Sequence, residues 1–254
     1  VQDAETFDEA HFGAHGHCQW LPFGVDTEVF APAPCPKCSG RKIIGISVPR
    51  ADCQACFGSG FAESAKLVDT AFVGMLYGPR HQYLQQLQPH LKDVAIIGGG
   101  VQIRDLPDAL HADGIPWQEM AMRLAANYRK CKVFFNLPSL SQHLVTKVFE
   151  VMACGTFLVT PALAGSAQKN MQLFEHNKHL IYYRESNHPF TNQILREFLA
   201  REKDREAIAM AGMAEVRKNH SLRQKLETIL GTMFKAQPFE APTVGVPEVS
   251  ELIQ

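Results

Sequence analysis

From Val68 onward, apolar residues alternate between short continuous runs and stretches that repeat every three to four positions. "VDTAFVG" (68–74) and "DVAIIGG" (93–99) read as buried strands, and "PRHQYLQQLQPHL" (79–91) between them reads as a helix with Tyr83, Leu84, Leu87 and Leu91 on one face. The rhythm then repeats. "WQEMAMRLAANYRK" (117–130) predicts a helix, "CKVFFN" (131–136) a strand, "SQHLVTKVFEVMAC" (141–154) a helix and "TFLVT" (156–160) a strand. A helical piece over 166–175, a last strand "HLIYY" (179–183) and two or three helices over 189–236 complete the series. Strands separated by single helices need crossover connections, so the sheet is expected to be parallel with helices on both faces. The fold class is therefore α/β, a doubly wound parallel sheet.

Residues before Val68 behave differently. They are rich in Gly, Pro and Cys with little periodicity, and "HCQWLPFGVDTEVFAP" (17–32) reads as a short strand, a turn and a linker. The expected division is 1–34 as the closing edge and linker of another domain, 35–66 as a cysteine-containing insertion, 67–236 as the α/β domain and 237–254 as a proline-containing tail. Because the chain begins at Val1 rather than Met, a fragment lacking upstream residues is the expectation.

Composition narrows the partners more than the fold. The 254 residues are 46% hydrophobic and 20% charged, enough apolar content for a substantial core. A formal net charge of -1 provides no global field for nucleic acid or an anionic membrane. There is no run of the roughly 20 apolar residues a spanning helix needs, and no signal peptide is expected of the acidic start "VQDAETFDEAHFG". A cytoplasmic protein is expected.

Of seven cysteines, Cys131 and Cys154 sit in apolar contexts that predict plain core residues. Four of the remaining five, all but Cys18, form "CPKCSGRKIIGISVPRADCQAC", two C-x-x-C pairs fourteen residues apart. Each turn-forming pair presents two thiolates to one ion, so Cys35, Cys38, Cys53 and Cys56 are expected to complete a tetrahedral, structural zinc site. Five basic residues, Lys37, Arg41, Lys42, Arg50 and Lys66, stand against Asp52 and Glu63 here. Four thiolates and one zinc ion take back two charges and leave about +1. That is too little to dock nucleic acid, so a clip stiffening a loop, or a knob for an acceptor or protein partner, is the expected role.

Ligands of open parallel sheets sit beyond the carboxyl ends of strands, where helix N-termini present free N–H groups. The loop "NLPSLSQHL" (136–144), including Asn136, Ser141 and His143, is thus expected at the mouth of a site, with Ser139 or Ser141 as helix N-cap. Further along that helix, Glu150 shares a stripe with His143 and Lys147. Among Val148, Phe149, Val151 and Met152 its carboxylate needs donors, for which ribose hydroxyls would serve. Pairing with Lys147 on an exposed stripe is the alternative. Glycines 98–100 would permit close backbone approach or simply form a tight turn.

The ordered set "WLPFGVDTEVFAP", "DTAFVGMLYGPRHQYLQQL", "KVFFNLPS", "KVFEVMACGTFLVTP", "LFEHNKHLIYYRE" and "REAIAMAGMAEVRKNHSLRQKL" resembles GT-B glycosyltransferases, most of all the CgeB-like, spore-maturation-type group. The resemblance implies a Rossmann-like C-terminal half that binds a nucleoside diphosphate sugar. It assigns Glu150 to the donor ribose and Arg80 to the diphosphate, with Lys147 a second cation and Gly74, Asn136, Ser141 and His143 completing the donor site. Gln142 stands where many relatives carry a second acidic residue. The alternative for Arg80 is a solvated helix-start arginine. The "CPKCSG" and "CQACFGSG" knuckles likewise resemble half of the zinc domain of DnaJ-type chaperones.

The implied reaction is sugar transfer to an unidentified acceptor, metal-independent because no D-x-D pair is present. The family's acceptor site and general base lie in an N-terminal domain mostly absent from this chain, so no catalytic base is named. A zinc-knuckle binding module on an α/β scaffold, and a nucleotide-sugar-binding pseudoenzyme or GT-B epimerase, are the alternative readings.

Overall fold

The computed structural model describes residues 21–34, 43–44, 51–52, 66–74, 80, 82–83, 94–97, 117–137, 144–163, 171–184 and 188–235. Two short strands, β1 (Ile43–Ile44) and β2 (Ala51–Asp52), pair antiparallel with Ile43 opposite Asp52. The main sheet comprises β3 (Val68–Val73), β4 (Val94–Ile97), β5 (Cys131–Phe135), β6 (Phe157–Pro161) and β7 (Ile181–Tyr183), in the order β4-β3-β5-β6-β7. All four pairings are parallel, as expected.

Alternation along the strands explains why two layers are needed. Ala71 and Val73 of β3, Phe134 of β5, Leu158 of β6 and Tyr182 of β7 enter one apolar cluster. Phe72, Val133, Phe135, Phe157, Val159, Ile181 and Tyr183 enter a second on the opposite face. Helices α1 (Trp117–Arg129) and α2 (Thr146–Ala153) cover the first through Ala121, Ala125, Tyr128, Val148, Phe149 and Val151. Helices α3 (His188–Ala200) and α4 (Glu202–Asn219) cover the second through Leu195, Phe198 and Ala209. Each buried aromatic contributes about 1.5–3 kcal/mol, which is what holds the sandwich. The doubly wound α/β expectation is borne out.

Both ends of α2 depart from a simple reading of its sequence. The helix begins at Thr146, not near Ser139 or Ser141. Val145 is extended at the N-cap with no side-chain hydrogen bond. Leu144 is buried, so the apolar periodicity of "HLVTKVF" continues into residues that serve the core outside the helix. At the other end Gly155 adopts φ 68°, its N–H donating to Met152 O while Thr156 N–H donates to Val151 O. This pair of bonds is a Schellman cap, and glycine meets its left-handed requirement without a β-carbon penalty.

Helix α4 lies against α2. A β-carbon on Gly212 would fall 2.3 Å from His179 O and 2.9 Å from Met152 Cε, so this close approach needs glycine. Arg205, buried, donates to Phe198 O and Leu199 O and satisfies the open carbonyls at the end of α3. A final helix, α5 (Leu222–Lys235), presents Leu222, Leu226, Ile229, Leu230 and Met233 exposed along one stripe. Among the described residues no helix is long and apolar enough to cross a membrane.

One further expectation is corrected. Residues 172–175, read as the end of a helix, form a turn instead, and Tyr182 N–H donates to His176 Nδ1 beside it. The stretch 21–34 packs on the α/β domain. Val25 bridges to Ser221, its N–H donating to His220 O and its carbonyl accepting from Leu222 N–H. Phe30 stacks on Tyr128, and Arg129 donates to Ala31 O. Cys131 and Cys154 are buried free thiols, as expected, pushed up to about 12 by burial.

Candidate functional site at the sheet's switch point

The chain leaves β3 to form β4 on one side and later returns to form β5 on the other, so the strand order reverses between β3 and β5. In such sheets a crevice opens outside the carboxyl ends at that point. Gly74 follows β3 and Asn136 follows β5 there.

Gly74 has φ 155°, and a β-carbon on it would lie 2.7 Å from Lys147 Nζ and 3.1 Å from the Phe72 ring. The space where a side chain would be thus holds an ammonium group. Lys147 Nζ stands 5.1 Å from the centroid of Phe72, and Arg80 Cζ stands 5.9 Å from the same centroid. One fully buried ring faces two cations, an arrangement that relieves part of their desolvation. Arg80 is helical and buried, and its Nη2 donates to Leu137 O at 3.4 Å, so it is not a solvated helix-start arginine. Burial lowers the Lys147 pKa to about 8, Arg80 adding to the fall and Glu150 opposing it.

Glu150 is half-buried on α2, one turn beyond Thr146 and Lys147. Burial raises its pKa, while the Tyr128 hydroxyl, the charge of Lys147 and the Thr146 hydroxyl pull it down. Tyr128 donates to Glu150 Oε2 at 3.1 Å. Glu150 and Lys147 therefore do not form the solvated pair of an exposed stripe. Because α2 starts at Thr146, Glu150 lies near the positive end of that helix rather than two turns in.

Asn136 is buried. Its N–H extends the sheet to Val159 O, its carbonyl accepts from Tyr183 Oη at 2.8 Å and its Nδ2 donates to Thr160 Oγ1 at 3.3 Å. Oδ1 has no partner within the protein, which leaves one buried acceptor at the crevice. Ser141, Gln142 and His143, and the glycines at 98–100, lie outside the described residues. So do Cys35, Cys38, Cys53 and Cys56. Among the described residues no group of three or more His, Cys, Asp or Glu could hold a metal ion.

Sequence reasoning missed Phe72 and Tyr128. Phe72 is read simply as a strand residue, and only the position of Gly74 two residues on signals a close approach above it. Tyr128 lies 22 positions from Glu150, and no local pattern joins them.

A parallel sheet with two cations, a carboxylate and an unpaired amide oxygen around its switch point defines an α/β domain with an anion-receptive crevice. Residues 80–231 match the family model described as glycosyl transferase-like, and the chain belongs to that family. No curated protein matches the sequence. Among solved structures, the chain is similar to Anabaena HepE in complex with UDP-glucose, at 13% identity and TM-score 0.55, covering 85% of this chain and 57% of that one. It is also similar to sucrose-phosphate synthase from Thermosynechococcus elongatus, at 14% identity and TM-score 0.54, covering 85% and 52%. The C-terminal domain of the group 1 glycosyl transferase LpcC from Francisella tularensis matches at 14% identity and TM-score 0.50, covering 78% of this chain and 100% of that domain. At these identities the likeness is one of fold, and it bears out the Rossmann-like GT-B architecture. The chain spans about half the length of the first two structures.

Proposed function

We propose that this chain is the donor-binding half of a GT-B glycosyltransferase, holding a nucleoside diphosphate sugar while its sugar passes to an acceptor hydroxyl or amine. The observation that carries this reading is the meeting of Arg80, Lys147 and Glu150 at the carboxyl edge of the sheet's switch point. Family membership supports it, as does the UDP-glucose held by HepE, a protein of the same fold.

In this reading Glu150 accepts hydrogen bonds from the ribose hydroxyls, and Arg80 and Lys147 face the diphosphate. As the bond from the anomeric carbon to the diphosphate oxygen breaks, negative charge grows on the leaving group. Two cations and the N-terminal end of α2 stabilise that charge more than they stabilise the ground state. Gly74 leaves room for the Lys147 ammonium beside the phosphates. Asn136, with Gln142, Ser141 and His143 in the following loop, completes the donor site. The ordered motifs support the CgeB-like group in particular, and a cytoplasmic setting suits the thiols described next.

Cys35, Cys38, Cys53 and Cys56 hold a structural zinc ion in this reading. Their spacing supports it, and so does the β1–β2 ladder between the pairs. With Ile43 opposite Asp52, the chain arriving from the first pair and the chain leaving for the second meet the same end of the ladder. A closed four-thiolate site supplies no catalytic chemistry; it would stiffen the loop that carries it.

Thermal denaturation of the chain with UDP-, GDP-, ADP-, CMP- and dTDP-linked sugars tests the donor site, because a ligand of the folded form raises its stability. One nucleotide class is expected to raise the midpoint by several degrees. No rise with any of the five sinks the reading, and transfer or donor hydrolysis then separates an enzyme from a mere binder.

A further inference from the structure

Tyr128 carries a hydroxyl that the donor-site reading leaves without a task. Its ring is 1% exposed, stacked on Phe30 at 6.2 Å and set edge-on to Phe134 at 5.1 Å. Its carbonyl accepts from Thr156 Oγ1 at 2.8 Å, which ties the end of α1 to the turn after α2. Backbone and ring are thus fixed from three sides, and the hydroxyl ends 3.1 Å from Glu150 Oε2. A carboxylate only accepts, so the tyrosine must donate. Burial first, and then the adjacent Glu150 charge, raise the Tyr128 pKa well above its usual value, so the donor proton stays in place.

We propose that Tyr128 is the positioning residue for Glu150: it holds one carboxylate oxygen in a fixed orientation, so that the carboxylate discriminates in favour of a nucleotide bearing ribose hydroxyls. This rests on the donor-site reading and adds to it a second, buried shell reaching into the segment that precedes the sheet. A side chain with three rotatable bonds on a helix flanked by apolar neighbours would otherwise sample several rotamers, and each hydroxyl contact would bear that ordering cost at binding. A partner that is itself locked removes the cost beforehand. Phe30 belongs to the same device, because it stacks on the Tyr128 ring.

The test uses Tyr128→Phe, which keeps the ring and deletes the hydroxyl. The dissociation constants of UDP, GDP and ADP for the whole chain are measured first, and the tightest of the three is compared with its 2′,3′-dideoxy counterpart. The unsubstituted chain is expected to prefer the ribonucleotide by about ten-fold or more, the scale of a hydrogen bond to a charged group. Tyr128→Phe is expected to cut that preference at least three-fold while leaving the dideoxy nucleotide within two-fold. In a Glu150→Ala background the same substitution should change neither constant, because the group it acts through is gone.

A merely structural role would weaken both nucleotides alike, and that result overturns the proposal, as does an undiminished preference in Tyr128→Phe. If none of the three nucleotides binds the unsubstituted chain, the proposed ribose preference is overturned, and if none of the five sugar nucleotides raises its melting midpoint either, the donor-site reading itself fails. Should Tyr128→Phe fold poorly by circular dichroism, Phe30→Leu gives a second handle: it loosens the ring and must lower the ribose preference in the same direction. An unaltered preference there likewise counts against the proposal.

Discussion

A β-carbon placed on Gly74 would lie 2.7 Å from the ammonium of Lys147. The glycine and the lysine belong to different elements, 73 positions apart, and one leaves the space that the other fills. Gly74→Ala is therefore expected to act twice. The φ of 155° is strained for any L side chain, costing about 1–3 kcal/mol of stability. The methyl group also pushes the ammonium off Phe72, so affinity for the preferred nucleotide diphosphate should fall several-fold. Urea denaturation and a nucleotide titration on the same protein check the two effects separately.

Lys147 gives a pH signature. Its pKa, lowered to about 8, means that the ammonium loses its proton as pH rises through 8, where a free lysine would keep it. Diphosphate affinity is expected to decline between about pH 7.5 and 9, and Lys147→Met should be weaker throughout and flat over that range. The stability of the unliganded protein moves the other way. Between the folded pKa near 8 and the unfolded value of 10.5 the unfolded chain binds more protons, so this group's contribution to stability rises with pH across that window. Isothermal titration and denaturation at pH 7, 8 and 9 read both trends.

Glu150→Ala is expected to weaken binding of the preferred nucleotide by about 1–3 kcal/mol through loss of charge-assisted hydrogen bonds. The unliganded protein should not suffer equally. Because burial raises the Glu150 pKa, the folded state disfavours its charged form, and the group's contribution falls as pH climbs from the unfolded value of 4.5 through the folded one. A binding constant unchanged by the substitution would return Glu150 to a purely structural role.

Gly212→Ala tests the packing of α4 on α2. The new methyl group would meet His179 O at 2.3 Å, a backbone atom that cannot swing aside. A loss of about 2 kcal/mol or more is expected by chemical denaturation, since over-packing against backbone has no cheap relief. Gly231→Ala in α5, where nothing lies within 4 Å, is expected to be neutral or stabilising and serves as the control.

Cys53→Ser combined with Cys56→Ser tests the zinc knuckle. Elemental analysis of the unsubstituted chain is expected to give one zinc per molecule, and the double variant almost none. The nucleotide-dependent rise in melting temperature should survive, because a closed thiolate site stiffens a loop without touching the donor.

The strands of the α/β domain were legible because each is a short apolar run that must be buried on both faces, as Val133, Phe134 and Phe135 are. Arg80 and Lys147 stand out in the sequence as cations of the proposed donor site, but their shared contact with Phe72 does not, since it depends on how α2 meets β3. The start of α2 was misread for a physical reason. "SQHLVTKVF" keeps helical periodicity through Leu144 and Val145, yet both serve the core outside the helix and no polar cap marks Thr146. Residues 172–175 mislead similarly: Met171 and Phe174 stand at helical spacing, but Phe174 is drawn against Phe149 and His220 by a turn. Tyr128 was beyond reach, because its hydroxyl finds Glu150 through the packing of α1 on α2.

The clasp between Val25 and the α4–α5 junction sets the boundary for any exchange of this α/β domain between members of the family. A graft cut at Val68, where the sheet begins, would leave His220 O and Leu222 N–H without their backbone partner and strip Phe30 from Tyr128. A transplantable cassette has to start upstream of Phe23, which itself lies 45 positions ahead of Val68, where the first strand of the main sheet begins.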